Sequence, residues 1–194
     1  MEWKFPKIRY IETKLHFMDA TLITRPPRTI REVYDALPEG TLAQLIENQL
    51  VMSPSSTDNH QKVLNRINFL ILKYLEDNPI GELRIAPYDV HLDDENVFQP
   101  DIIFIKNENL SKIEQNGFHG APSLVIELLS PGTARYDRYQ KKVVDERSGV
   151  QEYWIVDPDT KEVEGYFLEE GRYGDPVNNV GLISSKLLGE EFVF

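Results

Sequence analysis

Gln99-Pro100-Asp101-Ile102-Ile103-Phe104-Ile105 and, further on, Ser123-Leu124-Val125-Ile126-Glu127-Leu128-Leu129-Ser130 decide how this chain folds. Each is a short run of β-branched, leucine and aromatic residues without a polar break, the pattern of a buried strand. Each also carries one carboxylate. Asp101 opens the first run directly after Pro100, and Glu127 stands between Ile126 and Leu128. Strand residues alternate faces, so Glu127 shares its face with Val125 and Leu129. An ionised carboxylate there is costly unless a positive group meets it. A local rule broken inside a core strand is where function is expected to surface. Two readings stand side by side: a turn aspartate with a solvent-facing glutamate, or a two-carboxylate metal site.

Ala134 to Ser148 reads as a helix, with Gly149 as its C-cap. Asp137 and Lys141 fall one turn apart on one face of it. They form either a solvated salt bridge, or a lysine that strand, turn and helix return toward Glu127.

The composition is that of a globular protein of one domain: 194 residues, 41% hydrophobic and 27% charged. There is no cysteine, which excludes disulfides, zinc-thiolate sites and a cysteine nucleophile. The N-terminus has no apolar signal region and no stretch is apolar enough to span a bilayer, so cytoplasm is the expected location. The net charge of −11 counts against a general nucleic-acid binder, which needs a basic surface. Arg135, Arg138, Lys141 and Lys142 are the basic concentration near the candidate site.

Along the chain, residues 1–28 form a lead-in ending at Arg25-Pro26-Pro27-Arg28, and 29–194 form the domain. Thr29 caps a short helix from Ile30 to Ala36. Leu45 to Met52 reads as one strand, and Asp58 to Asp77 as a helix with Val63, Ile67, Leu70, Ile71 and Tyr74 on its core face. His60 lies in that helix's first turn, on the surface. Leu83 to Leu92 reads as a strand bulged at Pro87, followed by a solvated turn at Asp93–Asn96. That hairpin would bring Asp89 beside Asp101, and His119 is a candidate for the site's mouth. Glu152 to Asp157 is a further buried strand in which Tyr153 and Trp154 pack the core, and Glu162 to Leu168 pairs with it.

Pro100-Asp101, then Ala121-Pro122-Ser123-Leu124-Val125-Ile126-Glu127-Leu128-Leu129-Ser130-Pro131-Gly132-Thr133, then Asp137-Arg138-x-x-Lys141, then Gly149-Val150-Gln151-Glu152-Tyr153-Trp154-Ile155-Val156-Asp157-Pro158 together resemble the Uma family. Its members are endonucleases of the restriction-endonuclease-like PD-(D/E)XK superfamily. The resemblance runs from about Thr29 to about Leu168. It implies an α/β (α+β) fold, a mixed central sheet flanked by helices. It implies Mg²⁺ or Mn²⁺ held by Asp101 and Glu127, Lys141 as the catalytic cation, DNA as substrate, and a homodimer. In the wider superfamily the lysine follows two residues after the glutamate; that position here is Leu129, so the role moves to Lys141. The family's further glutamate corresponds to Gln49, with Asn48 at the glycine position. Glu47, read on the same strand face, could compensate for the lost charge. His60, Asp89 and Asp137 complete the candidates. The alternatives are a non-catalytic remnant of the nuclease fold that binds a partner, and a structural domain in which Asp101, Glu127 and Lys141 form a buried ion network.

Overall fold

The computed structural model describes residues 26–194. The lead-in up to residue 25 lies outside the described residues.

Thr29 accepts the Glu32 N–H and starts α1 (Ile30–Asp35), which leads into a hairpin of β1 (Ala43–Ile46) and β2 (Gln49–Met52). The long helix α2 (Asp58–Asp77) follows, capped by the Thr57 side chain. Next come β3 (Gly81–Ile85), β4 (Val90–Asp93), β5 (Asn96–Phe98) and β6 (Ile102–Lys106). A 3₁₀ segment at Asn107–Lys112 and the short β7 (Ile113–Glu114) and β8 (Gly117–His119) lead to β9 (Leu124–Leu128). A widened π-helical turn, Tyr136–Lys141, runs into α3 (Lys142–Ser148), which Gly149 ends at φ 95°. The rest is β10 (Glu152–Val156), β11 (Glu162–Glu169), β12 (Arg172–Tyr173), β13 (Val177–Val180), β14 (Leu182–Ser185) and β15 (Glu190–Val193).

The central sheet runs β12-β11-β10-β9-β6-β3, with β13 also on β11. It is mixed: β9 and β10 are parallel, while β6 pairs antiparallel with β9. A second sheet runs β2-β1-β5-β4-β8-β7. Alternation along β9 divides the core in two. Leu124, Ile126 and Leu128 pack with Val63, Leu64, Ile67 and Ile71 of α2. Val125 and Leu129 pack on the opposite face with Ile103, Tyr153 and Ile155. Glu127 therefore points away from α2, toward the segment that connects β9 to β10. Parallel neighbours cannot be joined by a tight turn, so that crossover carries a helix back over the sheet. This return brings Lys141 to Glu127.

Glu152, also buried, ties the C-terminal hairpin to the sheet. Its carboxylate accepts from Trp154 Nε1 (3.1 Å), Ser185 Oγ (2.7 Å) and the Leu187 N–H (2.6 Å). Tyr153 and Trp154 are fully buried, as their strand context predicts.

Two expectations need correction. Leu45–Met52 is not one strand but most of the β1–β2 hairpin, with Ile46 paired to Gln49. Its two turn residues, Glu47 and Asn48, have φ of 47° and 59°, the positive pair of a tight hairpin turn that matches strand twist. Leu83–Leu92 is likewise split: β3 pairs with β6 in the central sheet, and β4 joins the second sheet. Among the described residues, no helix is long and apolar enough to cross a membrane.

Candidate active site

Asp101 and Glu127 meet at one end of the β6–β9 pair. The register joins Ile102 to Ile126, so one step beyond it sets Asp101 opposite Glu127. Pro100 and Asp101 lie just outside the ladder, which leaves the Asp101 side chain free to turn around the strand end. Its Oδ2 accepts the Leu128 N–H at 2.8 Å.

His60 reaches the same atom from α2, with Nε2 3.3 Å from Asp101 Oδ2 and 3.2 Å from the Leu128 carbonyl. It is buried, not a surface residue, because the first turn of α2 packs against the end of β9. Its Nδ1 has no hydrogen-bond partner. The hydrogen bond to Asp101 raises the His60 pKa above the ordinary histidine value, against an opposing effect of burial.

Lys141 is enclosed. Its Nζ forms an ion pair with Glu127 Oε1 and lies 3.0 Å from Asp137 Oδ1. The Lys141 and Glu127 side chains are only 2% and 4% exposed, whereas Asp101 is 16% exposed and opens the site to solvent. The π turn helps here: both Asp137 and Lys141 lie in it, and such widened turns recur at functional sites. The Tyr153 hydroxyl holds the Asp137 carbonyl at 2.9 Å.

The electrostatics follow from burial. Burial pushes the Glu127 carboxyl well above its ordinary value; Lys141 opposes this, while Asp137 and Asp101 add to it. Burial disfavours the Lys141 ammonium, yet Asp137 and Glu127 outweigh it and hold its pKa above that of an ordinary lysine. Asp145, one turn on from Lys141, is also buried; burial pushes it up to about 7, Lys141 opposes that and Asp137 adds to it. Its Oδ2 has no partner.

A carboxyl whose folded pKa is raised adds stability below its unfolded pKa and loses it as pH rises through the folded value. For Asp145 that window runs from the ordinary 3.8 to about 7. Asp145→Asn is therefore expected to be more stable than the native chain by up to about 4 kcal/mol above the window, and equal to it below. Urea unfolding at pH 4 and pH 8 checks this; an equal difference at both pH values would refute it.

The remaining candidates fall elsewhere. Glu47, in the hairpin turn, bonds Gln140 Nε2 at 3.3 Å and lies 4.0 Å from Arg147. Gln49 is exposed at the start of β2, so the expected shared strand face does not exist. Asp89 is taken up by Tyr34 Oη and Gln99 Nε2, both at 2.8 Å. His119 stacks on His91 in the second sheet, ring centroids 4.4 Å apart. Arg138 pairs with Glu164, and Lys142 sits 4.1 Å over the Tyr166 ring.

Gln44 supports the site without any motif in the sequence to mark it. It is buried on β1, accepts the Gln99 N–H at 3.0 Å and donates to Ser53 Oγ at 3.1 Å. Gln44, rather than Gln49, supports the segment that presents Asp101. Asn48 carried the missed signal, since asparagine tolerates positive φ and marks a turn.

Among the described residues, no group of three or more His, Cys, Asp or Glu side chains is arranged to hold a metal ion by itself. Mg²⁺, however, needs only one or two carboxylates, with water and substrate oxygens completing its shell. Among the described residues, Asp101 Oδ1 and Glu127 Oε2 take no hydrogen bond. Two hard oxygen donors, in a cluster where carboxylates outnumber Lys141, match the donor chemistry of such an ion.

A family model described as "Putative restriction endonuclease" matches residues 31–192. Among solved structures, the chain is similar to a protein described as a "putative nuclease belonging to DUF820" from Anabaena variabilis. The two share 20% identity at a TM-score of 0.70, over 84% of this chain and 92% of the other. Likeness at that identity speaks for the fold. No curated protein matches.

Proposed function

From the premise that this chain belongs to the Uma2 family of restriction endonucleases, we propose that it is a divalent-metal-dependent endonuclease hydrolysing DNA phosphodiester bonds. The observation that carries this reading is the pairing of Asp101 with Glu127 at one strand end, with Lys141 returned to Glu127 by the crossover.

Asp101 and Glu127 would hold Mg²⁺ or Mn²⁺, which supplies Lewis-acid stabilisation of charge on the scissile phosphate. His60 and the Leu128 N–H fix Asp101 through Oδ2, which leaves Oδ1 as the oxygen for the ion. Lys141 supplies the fixed positive charge that offsets charge building on the phosphate. Asp137 holds the ammonium from its other side. One such site cuts one strand, so cleavage of both strands at one place calls for two copies. A homodimer is therefore expected, and light scattering that detects only monomer at high concentration would refute it.

The second reading, a structural ion network in a non-catalytic remnant, is favoured by one observation: Lys141 is almost wholly buried between two carboxylates. Metal and substrate separate the two. Saturating Mg²⁺ or Mn²⁺ is expected to stabilise the fold by about 1–3 kcal/mol, and Asp101→Asn to abolish that shift. Supercoiled plasmid is expected to be nicked in Mg²⁺ or Mn²⁺ and left intact in excess chelator. Unchanged melting together with an intact plasmid would overturn the endonuclease reading.

A further inference from the structure

We propose that Thr133 is a positioning residue for Lys141, acting through Asp137, whose carboxylate accepts from the Thr133 hydroxyl, itself oriented by Ser130, and from the Lys141 ammonium. The proposal rests on the endonuclease reading, in which Lys141 supplies the working charge.

Ser130 follows β9, three residues after Glu127, and Thr133 lies in the turn that enters the helical crossover. The oxygens of Ser130 and Thr133 are 2.8 Å apart, and Thr133 Oγ1 donates to Asp137 Oδ2 at 3.1 Å. Asp137 Oδ1 lies 3.0 Å from Lys141 Nζ, which is ion-paired with Glu127. A threonine hydroxyl has one proton to give. Because Thr133 gives it to Asp137, the bond between the two hydroxyls runs from Ser130 to Thr133. Every bond then has a fixed donor: Ser130 gives to Thr133, Thr133 gives to Asp137 Oδ2, and the Lys141 ammonium gives to Asp137 Oδ1, so both paths converge on the Asp137 carboxylate.

The backbone does not depend on those hydroxyls. The Thr133 and Ala134 N–H groups bond the Ser130 carbonyl at 3.2 and 3.0 Å, and the Asp137 N–H bonds the Thr133 carbonyl at 3.2 Å. Tyr153 separately holds the Asp137 carbonyl. What the Thr133 hydroxyl adds is the orientation of the Asp137 carboxylate. Without its proton Oδ2 is a buried acceptor with no partner, and the carboxylate can rotate on Lys141. Groups that orient metal ligands are commonly worth about ten- to a hundred-fold in activity, and the same scale is expected for a group that orients Lys141.

The test compares Thr133→Val and Thr133→Ser with the native chain in two measurements. The first is hydrogen exchange of the Lys141 ammonium in ¹⁵N-lysine-labelled protein, its signal assigned with Lys141→Arg. The second is kcat and KM for plasmid nicking in Mg²⁺. Thr133→Val is expected to speed ammonium exchange at least about tenfold and to lower kcat about ten- to a hundred-fold with KM little changed. Thr133→Ser is expected to restore both. If the valine variant does not fold, Thr133→Ala carries the same expectations, with no methyl group against the carboxylate.

A lower melting temperature with unchanged exchange and kcat would show a merely structural role and overturn the proposal. A raised KM at constant kcat would also overturn it, by making Thr133 a substrate contact. If the native chain nicks nothing, the endonuclease reading fails, and the exchange measurement alone upholds or overturns the positioning role.

Discussion

Lys141→Met is expected to lower stability by about 3–5 kcal/mol at pH 8 and by clearly less at pH 5. Methionine keeps most of the buried stem and removes the charge. Glu127 and Asp137 are then left buried without their counterion, and Asp145 loses the nearest positive group. Removing one partner of a buried ion pair costs more than the pair was worth, because the other partner keeps its desolvation penalty. The pH dependence has a definite sign. The Glu127 carboxyl already stands well above its ordinary value, and losing Lys141 raises it further. A raised folded pKa gives stability that is present below the unfolded value and lost as pH rises, so the variant should fare best in acid. Urea unfolding at both pH values measures this. A loss of equal size at both would trace the effect to packing rather than charge. Adding Glu127→Gln and Asp137→Asn to Lys141→Met should recover much of the loss, since a neutral cluster carries no uncompensated charge.

Nicking of plasmid should fall about 10²–10³-fold in kcat on Asp101→Asn, on Glu127→Gln and on Lys141→Arg. Each variant nearly preserves size or charge class while changing the group that faces the phosphate or its metal ion. The losses should not add: Asp101→Asn combined with Glu127→Gln should be little worse than either alone, because groups acting as one unit do not contribute separable shares. Nicking that persists at the native rate in Glu127→Gln would identify a contaminating nuclease and remove the assignment. Gln49→Glu should change nothing, since Gln49 is exposed at the foot of β2. Gln44→Glu is the informative companion, because Gln44 bonds the backbone of the segment that carries Asp101. A gain from Gln49→Glu would contradict the arrangement described above.

Much of this arrangement is legible in the amino-acid order. The α2 boundaries follow from Thr57 as cap and Asn78-Pro79 as stop, and its buried stripe follows the helical period. The opposed faces of β9 follow from strict alternation, which separates Val125 and Leu129 from Ile126 and Leu128. Asp137 and Lys141 fall together because four residues make about one helical turn. In each case the deciding interactions lie within a few residues of one another.

The hairpin at Glu47-Asn48, the division of Leu83–Leu92 between two sheets, and the burial of His60 were not legible in this way. Asn48 and Pro87 mark where Leu45–Met52 and Leu83–Leu92 bend, but whether such a mark is an irregularity within one strand or a break between two is decided by the strands that each half pairs with. His60 looks like a surface residue in a helix's first turn until α2 docks on the end of β9.

Which residues are available for chemistry can be read from their order alone: carboxylates in two apolar strands, and a lysine on the helix after the second. Tertiary structure alone decided their environment. The antiparallel register set Asp101 opposite Glu127, and the crossover between parallel neighbours enclosed Lys141 with Glu127 and Asp137 while Asp101 stayed open to solvent. The physical reason is that desolvation and charge pairing depend on distances between residues far apart in the chain. Only packing sets those distances, and with them the raised pKa values of Glu127 and Lys141.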